Sequence, residues 1–365
     1  MSKDLIMRQK MSFKIERNKK VLVTGGTGFI AGWIIKQLVE CGVCVHATVR
    51  DPDNEKKVSH LKELSKKGPG KVVLFKADLL EPGSFDSSIK GCSIVIHTAS
   101  PFLFKFNNPQ KDFLEPALGG TKNILKAVNS NASVEKVVLT SSCTAIYGDA
   151  EEISLAPNNM ISEDIWNTTS TISHQPYSYS KTLAEREAWK MFEEQNRWSL
   201  VVINPSLVLG PTVSGQSTSA SHDICFQLGD GTMKAGAPPF KIGMVDVRDV
   251  ADAHIHAAYI TDSQGRHIVS NETSSPLNLS QMLSKKYGED YPLPKKELPK
   301  WLVWLIGPLF DKNITRKTVA KNMGHDWLAD NSKSKDRLGL NYRSLELSIS
   351  EMFQQMIDQG AFKKS

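Results

Sequence analysis

A β-branched apolar run, Val21-Leu-Val23, enters a glycine turn, Gly25-Gly-Thr-Gly28, and leaves it as an amphipathic helical pattern from Trp33 to Glu40. A strand joined to a helix this tightly lets the backbone approach a bound phosphate. The helix that follows turns its positive N-terminal end toward that phosphate. The segment therefore predicts a dinucleotide site at the end of a first parallel strand. A plain strand-to-helix connection would need the same glycines, so the turn alone does not decide the matter.

The remainder of the chain repeats the theme. Val43–Val49, Lys71–Lys76, Ser93–His97, Lys136–Thr140 and Ser199–Ile203 read as further strands. Helical patterns over Asn54–Lys66, Gly83–Lys90, Ala117–Val128 and Tyr177–Glu193 separate them. Near-continuous Val/Ile runs alternating with helices predict an α/β fold with a doubly wound parallel sheet covered on both faces. After Pro205 the pattern changes: residues 211–240 are rich in Gly, Ser, Thr and Pro, and the segment from Val245 to Ala258 returns to a strand and a helix. The expected organisation is a flexible basic arm (1–19) and a dinucleotide-binding domain (20–205 plus 243–270). A smaller, mostly helical C-terminal lobe (206–242 plus 271–360) would close over the substrate.

At 365 residues with a net charge of +6, the chain has room for these two units and no strong bias toward nucleic acid. No apolar run reaches membrane-spanning length and no signal-peptide pattern is visible, so a cytoplasmic protein, monomer or homodimer, is expected. Cys41, Cys44, Cys92, Cys143 and Cys225 form an odd, scattered set that reads as reduced thiols, not a metal or disulfide framework. His254 and His256 lie two apart on a helix and face different ways, so no metal is expected. The apolar stretch Lys300–Phe310 reads as a buried helix of the small lobe or the wall of an apolar pocket. A protein interface or weak membrane-surface contact is its alternative.

Tyr177 and Lys181 are four apart and share a helical face. An ammonium near a phenol favours its ionised form, so such a tyrosine can exchange a proton with a carbonyl or alcohol oxygen. Thr140-Ser141-Ser142 ends the fifth strand, where a hydroxyl could hold that oxygen. By itself Tyr-x3-Lys is also an ordinary helix face. Tyr179 has no basic residue four positions later.

The full set of motifs resembles the extended short-chain dehydrogenase/reductase superfamily, also described as the NAD-dependent epimerase/dehydratase superfamily. Within it the chain is similar to the branch of dihydroflavonol, cinnamoyl-type and yeast-type carbonyl reductases. The matching stretches are Val23–Ile30, Ala47–Pro52, Ala77–Leu79, His97–Phe102, Leu139–Ser142, Tyr177–Glu185, Asn204–Pro205 and Val245–Val250. The resemblance implies a Rossmann sheet. It implies that Gly25, Thr27, Gly28, Phe29 and Ile30 hold the pyrophosphate, and that Asp78 and Leu79 flank the adenine. His97, Thr98 and Ala99 would lie along the cofactor's middle, and Pro205 and Leu207 would support the nicotinamide. Ser142, before Ser141, would bond the substrate carbonyl, and Tyr177 would donate the proton. Lys181 would bind the ribose and keep the phenol's pKa low.

Arg50 follows the second strand, where a guanidinium suits a ribose 2′-phosphate and an acid would suit the free hydroxyl. Asp51 stands beside it. The resembling reductases place a lysine where this chain has Lys57. NADP(H) is the expected cofactor, with NAD(H) as the alternative. Two positions depart from the family pattern: Ala31 replaces its third glycine, and Tyr147 replaces an asparagine that dihydroflavonol reductases use for flavonoid hydroxyls. The expected activity is reduction of a small-molecule aldehyde or ketone. The rivals are a nucleotide-sugar epimerase or dehydratase, and a non-catalytic NADP(H)-sensing protein.

Overall fold

The structure, a computed structural model, describes residues 14–100, 106–215, 219–310 and 314–362. Most of the expected basic arm, and Pro101 and Phe102 of the family motif, lie outside the described residues.

Strands β1 (Lys20–Thr24), β2 (Cys44–Val49), β3 (Lys71–Lys76), β4 (Cys92–His97), β5 (Lys136–Thr140), β6 (Ser199–Pro205) and β9 (Gly265–Val269) form one seven-stranded sheet. Its order is β3-β2-β1-β4-β5-β6-β9, and every neighbouring pair is parallel. The chain winds outward from β1 in one direction, then returns past it to β4. This reversal opens a crevice at the carboxyl ends of β1 and β4, the position where such sheets bind ligands.

Alternation along β1 divides the core. Val21 and Val23 join a cluster with Ile34, Ile35 and Leu38 of α1 (Phe29–Glu40) and with Val250 and Ile255 of α6 (Val247–Tyr259). Leu22 faces the opposite layer, with Ile124 and Val128 of α3 (Gly120–Asn129) and Ala188 and Met191 of α4 (Pro176–Glu193). α2 (Glu55–Lys67) completes the first layer through Val58 and Leu61. This is the covered parallel sheet that the Val/Ile runs imply.

A small second sheet, β10-β8-β7, lies beyond β6. It contains β7 (Leu207–Leu209), β8 (Ile242–Asp246) and β10 (Glu272–Ser274). Around it Leu228 of α5 (Ala220–Gly229), Leu283 of α7 (Pro276–Tyr287), and Met352 and Phe353 of α11 (Leu345–Asp358) build a separate apolar cluster. Three further helices, α8 (Lys300–Phe310), α9 (Arg316–Asn322) and α10 (Ser332–Leu338), complete the C-terminal part.

Two expectations are corrected. Gly83–Lys90 forms successive turns in place of a helix, because Gly83 takes φ +77° and the Ser84 hydroxyl turns back to donate to the Asp78 carbonyl at 2.7 Å. Lys300–Phe310 is a helix, but it is not buried: Trp301 is 66% exposed and Leu309 84%, while among its described large side chains only Val303 is buried. Its apolar residues exceed what one packed face can bury.

Gly243 of β8 sits against the indole of Trp327, and a Cβ there would run into the ring. Gly243→Ala is expected to cost about 1–3 kcal/mol by overpacking. The denaturant midpoint checks this, with an unchanged m-value.

Candidate active site

The glycine turn is built for close approach. Gly25 takes φ +69°, and a Cβ there would lie 3.1 Å from the Ala99 Cα. The Gly26 amide donates to the Thr48 carbonyl at 2.8 Å, and the Gly28 amide closes the turn on the Gly25 carbonyl at 2.8 Å. Gly28 caps α1 without a side-chain hydrogen bond, and the first turn of the helix carries no acid. Thr27 and Gly28 are exposed, and Phe29 and Ile30 are half-buried. The opening of α1 thus keeps its field free for an anion.

Thr24, which the sequence reading passed over, joins the two strands at the reversal. Its hydroxyl accepts from the Thr98 amide at 3.2 Å and the Ala99 amide at 3.1 Å, and contacts His97 Nδ1 at 2.8 Å. The Thr98 hydroxyl donates to the Thr24 carbonyl at 2.6 Å. With both amides donating, the Thr24 proton is directed at Nδ1, and His97 carries its own proton on Nε2. Burial, assisted by the Lys181 charge, pushes His97 down to about 3, so the ring is neutral.

At the same edge of the sheet, Asp78 and Leu79 follow β3. The Asp78 carboxylate accepts from the Leu80 amide at 2.9 Å, and Leu79 packs under Gly120, where a Cβ would meet it at 2.6 Å. Arg50 and Lys57 are both exposed and have no ion pair among the described residues. Asp51 accepts from the Asp53 amide at 3.0 Å and so serves its own turn. Pro205, buried, ends β6, and Leu207, half-buried, opens β7.

A nicotinamide dinucleotide fits this edge. The turn at Gly25 is a cradle that a side chain would fill. The hydroxyls of Ser100 and Ser206, at the ends of β4 and β6, are buried without a partner among the described residues. Such groups are costly unless something meets them.

Ser142, Tyr177 and Lys181 converge beside this edge. Ser142 ends β5; its hydroxyl accepts from the Thr144 amide at 3.2 Å and hydroxyl at 3.0 Å, and bonds the phenol of Tyr177. Burial pushes that phenol up to about 12, with the Ser142 bond opposing. Burial thus opposes the lowering expected of Lys181. The Lys181 ammonium donates to the Thr140 carbonyl at 2.8 Å, and its own burial pushes it down to about 8 against the pull of Glu185.

Ser141 has another duty. Its hydroxyl donates to the buried Glu185, which also accepts from Asn204 Nδ2 at 2.9 Å and from Arg266 Nε at 2.6 Å. Asn204 in turn donates to the Ser142 carbonyl at 3.1 Å. Of the two hydroxyls, only that of Ser142 is bonded to Tyr177. Of the two departures, Ala31 is buried in the core of α1, and Tyr147 is buried edge-on against Trp327 at 6.0 Å. His254 and His256 bond different partners, Thr140 Oγ1 and the Leu338 carbonyl, each at 2.7 Å.

A second unforeseen group holds the start of α4. Gln175, two residues before Tyr177, is left-handed at φ 58° and ψ 52°, a strained setting for a residue with a side chain. Its amide donates to Asp149 at 3.1 Å; the same carboxylate accepts from Asn322 at 2.6 Å and contacts His174 Nε2 at 2.7 Å. Burial would raise the Asp149 carboxyl, but these bonds hold it below the ordinary carboxylate range. The signal was a polar residue before a helix-starting proline, whose partner lies 26 positions back in sequence.

The profile of the NAD dependent epimerase/dehydratase family matches residues 21–269. Tetraketide alpha-pyrone reductase 1 of Arabidopsis thaliana is 36% identical over 347 residues, covering 93% of this chain and 96% of the relative. A cinnamoyl-CoA reductase of Medicago truncatula is 35% identical over 336 residues, covering 91% and 93%. Among solved structures, Gre2 of Candida albicans in complex with NADPH is 29% identical with a TM-score of 0.74, covering 93% of this chain and 99% of that one.

Replacing Gln175 by glycine removes the strain and the tether together. Gln175→Gly is expected to hold or raise the melting temperature while lowering kcat roughly tenfold, through a less fixed Tyr177. Thermal melts and steady-state turnover of one preparation check both. The chain belongs to the NAD dependent epimerase/dehydratase family, as an NAD(P)-dependent oxidoreductase of its dihydroflavonol-reductase-like branch.

Proposed function

We propose that this protein reduces the carbonyl of a small aldehyde or ketone with NADPH. The observation that carries the reading is the bonded pair Ser142–Tyr177 with a buried Lys181 one turn along the same helix, at the edge that fits the dinucleotide. When bound, the dinucleotide supplies a hydride to the carbonyl carbon. Ser142 holds the carbonyl oxygen, and Tyr177 gives that oxygen its proton. A phenol raised by burial is fully protonated at neutral pH, as a donor must be. Lys181, held by the Thr140 carbonyl, stands where it can bond the ribose and offset charge left on Tyr177.

Gly25, Thr27, Gly28, Phe29 and Ile30 would hold the pyrophosphate. Asp78 and Leu79 would flank the adenine, Thr98 and Ala99 would line the middle, and Pro205 and Leu207 would back the nicotinamide. His97, neutral and bonded to Thr24, serves by fixing the ends of β1 and β4. Arg50 and Lys57 supply the positive charge for a 2′-phosphate, which supports NADPH over NADH. The relatives' named reactions differ in substrate, and all fit a reductase. Segments 206–242 and 271–360 form the substrate lobe in this reading.

Tyr177→Phe tests the assignment: carbonyl-dependent NADPH oxidation is expected to fall by about 10²–10⁴ with NADPH binding kept. Full turnover in this variant on every carbonyl the wild type reduces would refute it. Arg50→Asp with Lys57→Glu is expected to raise the KM for NADPH roughly tenfold or more, from loss of charge-assisted bonds worth about 1.5–3 kcal/mol, and to leave the KM for NADH little changed.

The pH profile follows from Lys181. Its charged form is lost as pH rises through about 8, below the range in which Tyr177 ionises. Reduction is therefore expected to fall along a basic limb near that pH. The limb should be missing in Lys181→Met, whose rate is low throughout.

A further inference from the structure

We propose that α8 is a peripheral docking element for an anionic phospholipid surface, a property separate from the reductase reading. Trp301, Trp304, Leu305 and Leu309 fall on one side of the helix and are 66%, 41%, 48% and 84% exposed. Val303 and Gly307 form the other side, where a Cβ on Gly307 would meet Ile314 at 3.0 Å. The helix is thus seated on the protein by its small side and presents its large apolar side outward. That is the reverse of a packed amphipathic helix.

The surrounding charge identifies the occupant. Lys296, Lys300, Arg316 and Lys317 are exposed around the helix, and Arg316 lies over the Trp304 ring at 4.8 Å. The side-chain ammonium groups of Lys296 and Lys317 have no ion pair or hydrogen bond among the described residues. Within 295–321 the sequence holds two acids, Glu297 and Asp311, against seven lysines and arginines. Tryptophan and leucine flanked by lysine and arginine is the pattern of a helix lying in a bilayer interface, its rings at headgroup level and its cations on lipid phosphates. At 11 residues the helix is about 16 Å long, against a hydrocarbon thickness of about 30 Å; it lies on the bilayer and does not cross it. A second copy is a poor occupant, because a two-fold contact through this face would bring the same cations against one another.

The test uses the full chain and two kinds of vesicle, phosphatidylcholine alone and phosphatidylcholine with phosphatidylserine, in a flotation assay at low and high salt. Expected is binding to the anionic vesicles that weakens with salt and is at least roughly tenfold lower on neutral ones. Trp301→Ser with Leu309→Ser should lose it by a similar factor while keeping the melting temperature. Lys296→Glu with Lys317→Glu should lose the preference for anionic lipid.

No flotation of the wild type would overturn the proposal. So would equal binding to both vesicles, or binding unchanged in Trp301→Ser/Leu309→Ser, which would assign it to the basic N-terminal residues. Concentration-dependent self-association abolished by the same variant, without flotation, would make the face a homodimer contact and overturn it. The reductase reading is independent: Tyr177→Phe should float like the wild type.

Discussion

The buried pair of Glu185 and Arg266 is the interaction on which the candidate site depends. Two charges removed from water are stable only where every hydrogen-bonding position is met, and here they are. Glu185 accepts from Arg266, Ser141, Asn204 and Trp189, while Arg266 also donates to the carbonyls of Glu163 and Ile165 and lies over Trp166 at 4.0 Å. These partners come from α4, β5, β6, β9 and the segment before α4. Tyr177 and Lys181 share the helix of Glu185, and Ser142 adjoins Ser141. The ion pair therefore sets the helix carrying the acid against the strand carrying the hydroxyl. Removing one partner would leave a buried charge uncompensated, a loss of about 3–5 kcal/mol in comparable cases.

A smaller device does the same for the cofactor edge. At a strand reversal the ends of β1 and β4 part company, since each continues to a different helix. Thr24 holds them together with one hydroxyl that serves two amides and an imidazole. The turn after β1 can then be made of glycine, with little side-chain packing of its own, because the neighbouring strand end supplies the rigidity. Ala99 lies close enough to Gly25 that the two ends constrain each other sterically. Loss of the Thr24 hydroxyl would leave two half-buried amides without this acceptor.

What could be read in advance follows from locality. The glycine turn, the Val/Ile strands and Tyr177 with Lys181 are each defined within a few residues, and their spacing carries their geometry. Arg266 and Asp149 could not be read that way: each acts on residues 81 and 26 positions distant, through contacts that only the folded chain creates. The Gly83–Lys90 pattern misled because helical periodicity says nothing of a glycine that must adopt positive φ. Lys300–Phe310 misled for a different reason. Hydrophobicity implies burial only where something is available to do the burying, and this helix has apolar residues on more sides than the protein covers.

The ionisation states of Tyr177 and Lys181 are set by one cause acting oppositely. Burial disfavours charge, so it raises an acid that ionises to an anion and lowers a cation that ionises to a neutral amine. The phenol thereby becomes a firmer holder of its proton and the ammonium a weaker one, so two groups that titrate close together in water are driven apart, Tyr177 to about 12 and Lys181 to about 8. In the proposed reduction, a proton leaving Tyr177 for a substrate oxygen would leave a phenolate in a dry site. The nearby ammonium is the charge that offsets it, and the Thr140 carbonyl and Glu185 keep that ammonium charged near neutral pH despite its burial. Without Glu185, the same burial would press Lys181 further toward its neutral form. The buried carboxylate that braces the fold is thus also what lets the lysine remain a cation where the reaction needs one.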